Sequence, residues 1–335
     1  MNPSPALMMG IDVGATSISG GLITSSGDVL TAVETPTRHR GSAVETLLTV
    51  VNDLITGARA DGLDLEGIGV GLPGLVDVEK GMMVSPHNLV SEFAHVPLGD
   101  RLHAATGLPV FVDNDVNALA LGEWTFGVGR GARSLALLAV GTGVGGGLIL
   151  DGHLVRGQSG CAGEFGHIPI GHQDGPLCVC GARGCMVMWV GGKALEETAR
   201  QHIAKGAASS LLRLAGGDPQ QITAALVFEA AAAQDELARG LVDAACQALG
   251  AGIGAIMHAV DPELIVITGG VAASLARCES QIVAAIGRYA LAHALARTRI
   301  RLAPTDKRQT VRGGAALVLY ELRRRGGRDR HGQPA

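Results

Sequence analysis

Cysteine is scarce in this sequence, with six among 335 residues, and this scarcity excludes a small disulfide-stabilised scaffold. The sequence also lacks an apolar run able to cross a bilayer, since its most apolar stretch, LALLAVGTGVGGGLIL, is short and rich in glycine. The first residues, MNPSPALMM, have neither the basic start nor the apolar core of a signal peptide. We therefore expect a cytoplasmic protein with no membrane partner.

Positive charge is not in excess either. The formal net charge is −4, and this mild acidity argues against nucleic acid as the main partner. The exception is the basic tail RRRGGRDRHGQPA, which begins at Arg323. A short charged segment of this kind at a chain end is typical of a solvated, disordered terminus.

Glycine is abundant, with 50 residues and no collagen-like period, and its placement shows an internal repeat. The segments MGIDVGATSISGGLIT, from Met9, and LLAVGTGVGGGLIL, from Leu137, align on a shared Gly-Leu-Ile that superposes Thr16 on Thr142. Each reads as strand, Gly/Thr turn and strand, which predicts a β-hairpin in each half of the chain. The repeat and the length together predict a duplicated, two-domain architecture.

Strand and helix patterns alternate outside these hairpins. GSAVETLLTVVNDLITGARADG has apolar residues at helical spacing and ends at a glycine. ELARGLVDAACQALGAGIGAIMHAV predicts a long helix stopped by Asp261-Pro262, and the strand ELIVIT follows. This alternation predicts an α/β fold.

The glycine loop GTGVGG, at 141–146, satisfies the dinucleotide pattern G-x-G-x-x-G. That fingerprint requires a helix directly after the glycines, whereas GGLILDGHL alternates like a strand, so a dehydrogenase is disfavoured. Gly/Thr hairpin turns can instead cradle phosphate, although ordinary tight turns would look the same. We expect ATP contacts from both turns, and we expect the carboxylate of Asp12 to hold Mg²⁺ through water. The predicted ATP-binding residues of this region are Asp12, Gly14, Thr16, Gly141, Thr142 and Gly143.

The thiols of CVCGARGC, with an upstream imidazole, have metal-ligand spacing. His167, Cys178, Cys180 and Cys185 read H-x10-C-x-C-x4-C, a set that closes a tetrahedral Zn²⁺ site and leaves no open position for a catalytic water. Incidental free thiols are the alternative, and His172 is a competing imidazole in the same loop.

Asp115 stands between the strand VFV and the helical run VNALALGE. An aspartate there is a good helix N-cap, and the residues alone favour this role, with a general base as the alternative. They do not decide between the two roles.

Six motifs then occur in a fixed order: DVGAT at 12–16, GLPGLVD at 71–77, DNDVNALALGE at 113–123, GTGVGGGLI at 141–149, GEFGHIPI at 163–170 and CVCGARGC at 178–185. This succession resembles the ROK family of sugar kinases and sugar-responsive repressors, from Met9 to about Leu317. The resemblance implies the two-lobed, actin-like (ribonuclease H-like) sugar-kinase fold, with ATP and sugar in the interlobe cleft. We expect a small lobe over 1–113 completed by a C-terminal helix at about 312–325, a large lobe with the zinc site over 114–311, and a disordered tail over 326–335.

The resemblance also implies roles for single residues. Asp115 becomes the general base, and the sugar-binding residues are Gly74, Asn88, Asn114, Glu164 and His167. Gly269 and Gly270 match the adenosine-side turn, and the Cys/His cluster becomes a structural Zn²⁺ site that braces the substrate wall. The family implies a dimer or tetramer, and the winged helix of its repressor members has no counterpart in the eight residues before Met9.

Two positions depart from the family pattern. Ala15 replaces the second glycine of the first turn, which adds one methyl group. Val187 stands where the kinases place a glutamate that binds hydroxyls near the anomeric end of the sugar. We therefore expect an ATP-dependent kinase for the primary hydroxyl of a hexose, or for a modified ring such as a C7-cyclitol or amino sugar. A non-catalytic sugar-binding sensor is the remaining alternative.

Overall fold

A computed structural model describes residues 6–39, 41–85, 90–171, 175–303 and 307–326. Its strands, in chain order, are β1 Leu7–Val13, β2 Ser17–Thr24, β3 Val29–Pro36, β4 Leu65–Leu72, β5 Leu75–Asp77, β6 Met82–Ser85, β7 Val110–Asn114, β8 Leu135–Val140, β9 Val144–Leu150, β10 His153–Leu154, β11 Leu264–Thr268 and β12 Arg299–Leu302. Its α-helices are α1 Ala43–Ala60, α2 Leu98–Thr106, α3 Asp115–Thr125, α4 Val187–Val190, α5 Gly192–Ala204, α6 Leu211–Leu214, α7 Ala224–Ala232, α8 Glu236–Val260, α9 Ala272–Leu275, α10 Glu279–Tyr289, α11 Ala292–Leu295 and α12 Lys307–Gly326.

The chain divides into two compact units. Unit 1 comprises Met1–Ala132, His153–Ala162 and Asp306–Ala335, and unit 2 comprises Arg133–Gly152 and Gly163–Thr305. This division lies later in the chain than the predicted boundary after Asp113, because α3 packs against α12 and so stays with unit 1. Helix α12 is also longer than the predicted 312–325, and the tail 327–335 lies outside the described residues.

Unit 1 is built on a sheet of order β3-β2-β1-β4-β7. Strands β1 and β2 form the predicted hairpin, and β1, β4 and β7 run parallel. Helix α1 covers one face and begins at a capping box, in which Ser42 accepts the N–H of Glu45 and the carboxylate of Glu45 accepts the N–H of Ser42. Its apolar face, which includes Leu47, Val51 and Leu54, lies in the core.

Unit 2 repeats this connectivity. Strands β8 and β9 form the second predicted hairpin. Strands β8, β11 and β12 run parallel, and the neighbouring strands follow the order β9-β8-β11-β12. Both predicted hairpins are therefore confirmed. Because carboxyl ends of parallel strands meet at one edge of a sheet, β1 and β7 bring Asp12 and Asn114 to one edge of unit 1. In unit 2, β8 and β11 likewise bring Gly141 and Gly269 to one edge.

Helix α8 is the one described helix long and apolar enough to cross a membrane by length and composition. In its most apolar window 61% of the residues are buried inside the protein, as in the core helix of a globular domain. It ends at Asp261, as the Asp-Pro pair predicts, and β11 follows.

Helix α12 lies directly against the sheet of unit 1 through three glycines, Gly10 on β1, Gly69 on β4 and Gly314 on the helix, which we call the glycine seam. A Cβ on Gly10 would overlap the carbonyl oxygen of Val311, and one on Gly69 would overlap that of Gly314. The backbones are thus closer than any side chain permits. The seam, and not interdigitated side chains, seats the helix at these points.

We expect Gly69→Ala to lower the free energy of unfolding by about 3 kcal/mol or more, because the added methyl must push α12 off the sheet. Denaturant unfolding followed by circular dichroism measures this. Gly57→Ala is the matched control, since a Cβ at Gly57 in α1 meets nothing within 4 Å; it should gain up to about 1 kcal/mol from helix propensity. Equal destabilisation of the two variants would show that α12 is not seated this closely.

Candidate active site

The predicted base lies where β7 gives way to α3. Asn114 is the helix N-cap: its Oδ1 accepts the N–H of Val116 at 2.9 Å and that of Asn117 at 3.1 Å. The capping role considered for Asp115 is therefore filled by its neighbour. Asp115 is the first helical residue, half-buried, and its Oδ1 accepts the Val116 N–H at 2.9 Å. A carboxylate in the first turn of a helix is favoured by the helix dipole.

Asn114 also connects the helix start to the GLPGLVD motif. Its Nδ2 donates to the carbonyl oxygen of Gly74 at 3.1 Å, and Gly74 has φ of +100°, a conformation that favours glycine. An amide Nδ2 carries two hydrogens, so one remains for a substrate hydroxyl. Asn88, the other predicted residue of this region, lies outside the described residues.

A cavity of about 560 Å³ lies within unit 1 beside Asn114. It is lined mostly by polar groups from the β5 region, the β7–α3 junction and the loop after β10, among them Asp77, Glu79, Asp113, Asn117, Arg156, Gln158 and Ser159. Sequence reasoning passed over Asp113 as a strand-end polar group and did not consider Arg156. The position of Asp113 at the end of a buried strand could have predicted such a partner, because a buried carboxylate requires a cation or several hydrogen-bond donors.

The first predicted phosphate-binding turn joins β1 to β2 in unit 1. The N–H of Gly14 donates to the carbonyl of Ser17 at 2.9 Å, and the hydroxyl of Thr37 donates to the carbonyl of Gly14 at 2.7 Å. These bonds fix the turn, with Thr16 exposed and Asp12 half-buried at the end of β1. The predicted residues of this turn are thus together on one rigid hairpin.

The second turn joins β8 to β9 in unit 2 and is tied to the start of α5. Carbonyl oxygens of Gly141 and Thr142 accept the N–H groups of Gly192 at 2.8 Å and Lys193 at 3.1 Å. Thr142 and Gly143 are exposed. Strand β9 begins directly after the turn, which agrees with the expectation that no dinucleotide-type helix opens there.

A cavity of about 360 Å³ in unit 2 brings the turn together with the predicted adenosine side. Gly141, Thr142 and Gly270 line it, whereas Gly269, at φ of +99°, packs against the backbone of Val140. Sequence reasoning missed three charged lining residues from α5: Lys193, Glu196 and Arg200. Their i, i+3, i+7 spacing, which places them on one helix face, was the available signal.

The four predicted metal ligands come together in unit 2. Ligand atoms of His167, Cys178, Cys180 and Cys185 all lie within 4.8 Å of one another. His167 Nδ1 is 3.5 Å from Cys178 Sγ, and Cys180 Sγ is 3.6 Å from Cys185 Sγ. Tetrahedral Zn–S bonds of about 2.3 Å place two sulfurs about 3.8 Å apart, so the donor set fits zinc. His172 lies outside the described residues.

The thiols of this cluster differ in their environment. Burial raises the pKa of Cys185 to about 12, and the N–H of Ala182 lowers the pKa of Cys180. A bound cation would favour the ionised form of this buried thiol.

His167 links the cluster to the predicted sugar side. Its Nδ1 faces Cys178, while its Nε2 lies 4.0 Å from Glu164 Oε2. One ring nitrogen can thus bind a metal while the other stays beside the Glu164 carboxylate. The structure brings together the two predicted sugar-binding residues of unit 2.

The apolar run after Cys185 has a packing role. Met186 is fully buried, and a Cβ on Gly252 of α8 would collide with its side chain. Val187, half-buried at the start of α4, lies close to the turn Gly141–Gly143, since a Cβ built on Gly143 would lie 3.8 Å from its Cγ2. The valine at the usual glutamate position thus lies beside the turn Gly141–Gly143.

The sequence pattern of the ROK family matches residues 8–321. The chain belongs to the ROK family. This ROK protein is 34% identical over 316 residues to the glucokinase of Halalkalibacterium halodurans, covering 93% of this chain and 95% of that relative. It is 31% identical over 271 residues to the xylose repressor of Caldicellulosiruptor bescii, covering 80% of this chain and 66% of the repressor.

Among solved structures, this ROK protein is similar to the ROK family glucokinase of Streptomyces griseus in complex with glucose and AMPPNP. The TM-score is 0.75 at 30% identity, covering 92% of this chain and 98% of that structure. The predicted family and the actin-like sugar-kinase fold are therefore confirmed.

Proposed function

We propose that this ROK protein is an ATP-dependent kinase that phosphorylates the primary hydroxyl of a hexose-like substrate, with Asp115 as general base. The observation that carries the assignment is the geometry at the start of α3. Asn114 supplies the N-cap, so the carboxylate of Asp115 is not needed for capping. The similarity of more than nine-tenths of the chain to glucokinases supports the reaction class.

In the proposed reaction the Asp115 carboxylate accepts the proton of the substrate hydroxyl. The hydroxyl oxygen forms a bond to the γ-phosphorus as the bond to the ADP oxygen breaks. Asn114, Glu164 and His167 would orient the ring through its other hydroxyls. Most of the remaining rate enhancement comes from positioning and from neutralising phosphate charge.

Nucleotide binding would use the two hairpin turns. In unit 2, the turn Gly141–Gly143 and Gly270 share one cavity, which suits the phosphates and adenosine of ATP. In unit 1, the turn Gly14–Thr16 offers backbone N–H groups and a hydroxyl. Mg²⁺, which neutralises phosphate charge when bound, would be held through water by Asp12.

We propose that the Cys/His cluster is a structural zinc site. Its closed set of four ligands has no place for a catalytic water. The ligands would hold together the segments 163–171 and 175–185, which pair through the Ile170 N–H and the Gly184 carbonyl at 2.8 Å. Holding His167 in place also holds its Nε2 beside Glu164.

The identity of the phosphorylated ring depends on Val187. Val187 cannot accept a hydrogen bond from a hydroxyl at the anomeric end of glucose, and each buried unpaired hydroxyl costs about 1–3 kcal/mol. We therefore favour a ring altered near that end, such as a C7-cyclitol or another ring that lacks the usual anomeric hydroxyl, over an unmodified hexose. The family resemblance also implies a dimer or tetramer, which stays a prediction.

A coupled ADP-release assay across sugars and cyclitols tests both the kinase activity and the preference for a modified ring. We expect ADP release with at least one ring and a poor kcat/KM with glucose. Val187→Glu should raise kcat/KM for glucose by about 5-fold or more, because it restores the missing acceptor. Val187→Leu, which changes size without adding an acceptor, is the matched control and should give no such gain. A wild-type preference for glucose over every modified ring would instead identify a plain hexokinase.

A sugar-responsive regulator is the second candidate, because a xylose repressor covers 80% of the chain. In that case the protein would bind a sugar, measured by calorimetry, without releasing ADP from ATP. ADP release dependent on the ring decides for the kinase.

A further inference from the structure

One arginine joins three distant segments inside unit 1. Arg156, which follows β10, donates from Nε to Asp113 Oδ2 at 2.7 Å and from Nη2 to Glu321 Oε1 at 2.6 Å. The three side chains are 12%, 2% and 8% exposed. A single guanidinium thus bridges two nearly buried carboxylates, one at the end of β7 and one on α12.

The Asp113 carboxylate also binds the start of α3, next to the proposed general base Asp115. Its Oδ1 accepts the backbone N–H of Asn114 at 2.7 Å and the side-chain amide of Asn117 at 3.0 Å. Asn114 and Asn117 flank Asp115 in the first turn of α3. Arg156 on one oxygen and the helix start on the other leave Asp113 little freedom to rotate.

Arg156 also closes the loop that follows it. Its carbonyl oxygen accepts the N–H of Ala162 at 3.1 Å. The enclosed segment turns at Gly157 and Gly160, with φ of +77° and +78°, and lines the same cavity as Asn114. The side chain of Arg156 therefore contacts one wall of this cavity, and its backbone carbonyl closes the loop that forms another.

Helix α12 supplies the anchor for this network. Tyr320 Oη accepts the N–H of Leu154 at 3.0 Å, and the Tyr320 ring centroid lies 5.8 Å from the Arg156 guanidinium. Arg324 Nε lies 3.2 Å from Glu321 Oε2 and adds a second cation. Burial lowers the pKa of Arg156, but the carboxylates of Asp113 and Glu321 outweigh it and raise this pKa above its usual range. The guanidinium therefore stays charged.

We propose that Arg156 is a positioning residue for phosphoryl transfer: through Asp113 it fixes the first turn of α3 and so the carboxylate of Asp115. The proposal rests on the kinase function proposed above. The planar guanidinium fork serves two carboxylates at once, a geometry that an ammonium group cannot reproduce. Small displacements of a catalytic group are costly, with about 1 Å enough for a 100-fold loss of rate.

The test compares two Arg→Lys substitutions. Arg156→Lys should lower kcat by about 10- to 100-fold with the KM for ATP within about 2-fold of wild type. Arg133→Lys is the matched control, since the Arg133–Asp151 pair at 2.6 Å is 75% and 72% exposed, and its kcat should equal that of wild type. Asp113→Asn should resemble Arg156→Lys, and the double variant should be no slower than the worse single variant, because both break one connection.

Three results with the variants would overturn the proposal. A lower melting temperature with unchanged kcat would mean that Arg156 only stabilises the fold, and a raised sugar KM with unchanged kcat would mean that it contacts the substrate. Multiplicative losses in the double variant would separate Arg156 from Asp113. Should Arg156→Lys not fold, Glu321→Gln removes one carboxylate at equal size and should still lower kcat. Lack of ring-dependent ADP release by the wild type would refute the kinase function itself, and the positioning role with it.

Discussion

Replacing Asp115 by asparagine is expected to lower kcat by about 100-fold or more, because the variant keeps the size and hydrogen bonding of the side chain but cannot accept the proton of the substrate hydroxyl. Sugar and ATP should still bind with near wild-type affinity, since the Asn114 cap and the Gly74 contact are untouched. Initial rates of ADP release, with dissociation constants from calorimetry, separate the two effects.

The control for this variant is an aspartate that does cap a helix. Asp218 is exposed and accepts the N–H of Gln220 at 2.8 Å at the start of a 3₁₀ turn. Asparagine caps as well as aspartate, so Asp218→Asn should leave kcat and stability unchanged. If Asp115→Asn keeps more than about a tenth of wild-type kcat, the carboxylate is not the general base.

Removing one zinc ligand should have the second large effect. Cys185→Ser is expected to abolish stoichiometric zinc and to lower the melting temperature by several degrees, because metal binding is coupled to the folding of its loop. Wild-type protein purified without chelator should contain one zinc per chain by elemental analysis. Stripping the metal should lower the melting temperature of the wild type and leave that of Cys185→Ser unchanged.

An exposed thiol outside the cluster provides the comparison. Cys161→Ser makes the same chemical change at a residue away from the four ligands, and the protein should keep its full zinc content. Wild-type protein without zinc, or a Cys185→Ser variant that still carries one zinc per chain, would contradict the assignment.

Local patterns in the sequence predicted the helices, hairpins and Cys/His cluster that are formed by residues close together in the chain. Helix α1 and helix α8 follow from apolar spacing and their end signals, and the two hairpins follow from the Gly/Thr repeat. The Cys/His cluster also follows from spacing, because its three cysteines lie within eight consecutive residues. In each of these cases the interacting groups are close in the chain.

The features that the sequence did not predict depend on residues that are far apart in the chain. Arg156 meets Asp113 and Glu321 across separations of 43 and 165 residues, and no local pattern pairs them. The capping role considered for Asp115 is held by Asn114, because either residue is a good cap and only the backbone geometry decides which one is at the N-cap position. The closeness of α12 to β1 and β4 likewise depends on glycines from three separate segments.

The glycine seam also has a consequence for the order in which the protein is made. Helix α12 is translated after all of unit 2, so at about 5–20 residues per second the ribosome needs roughly ten seconds or more to reach it once β7 is complete. During that interval unit 2 can fold from a nearly continuous stretch of chain, while β1 and β4 await their covering helix. Since a methyl group on Gly10 or Gly69 would block the late docking of α12, the nascent chain must keep these two strand glycines uncovered until α12 emerges.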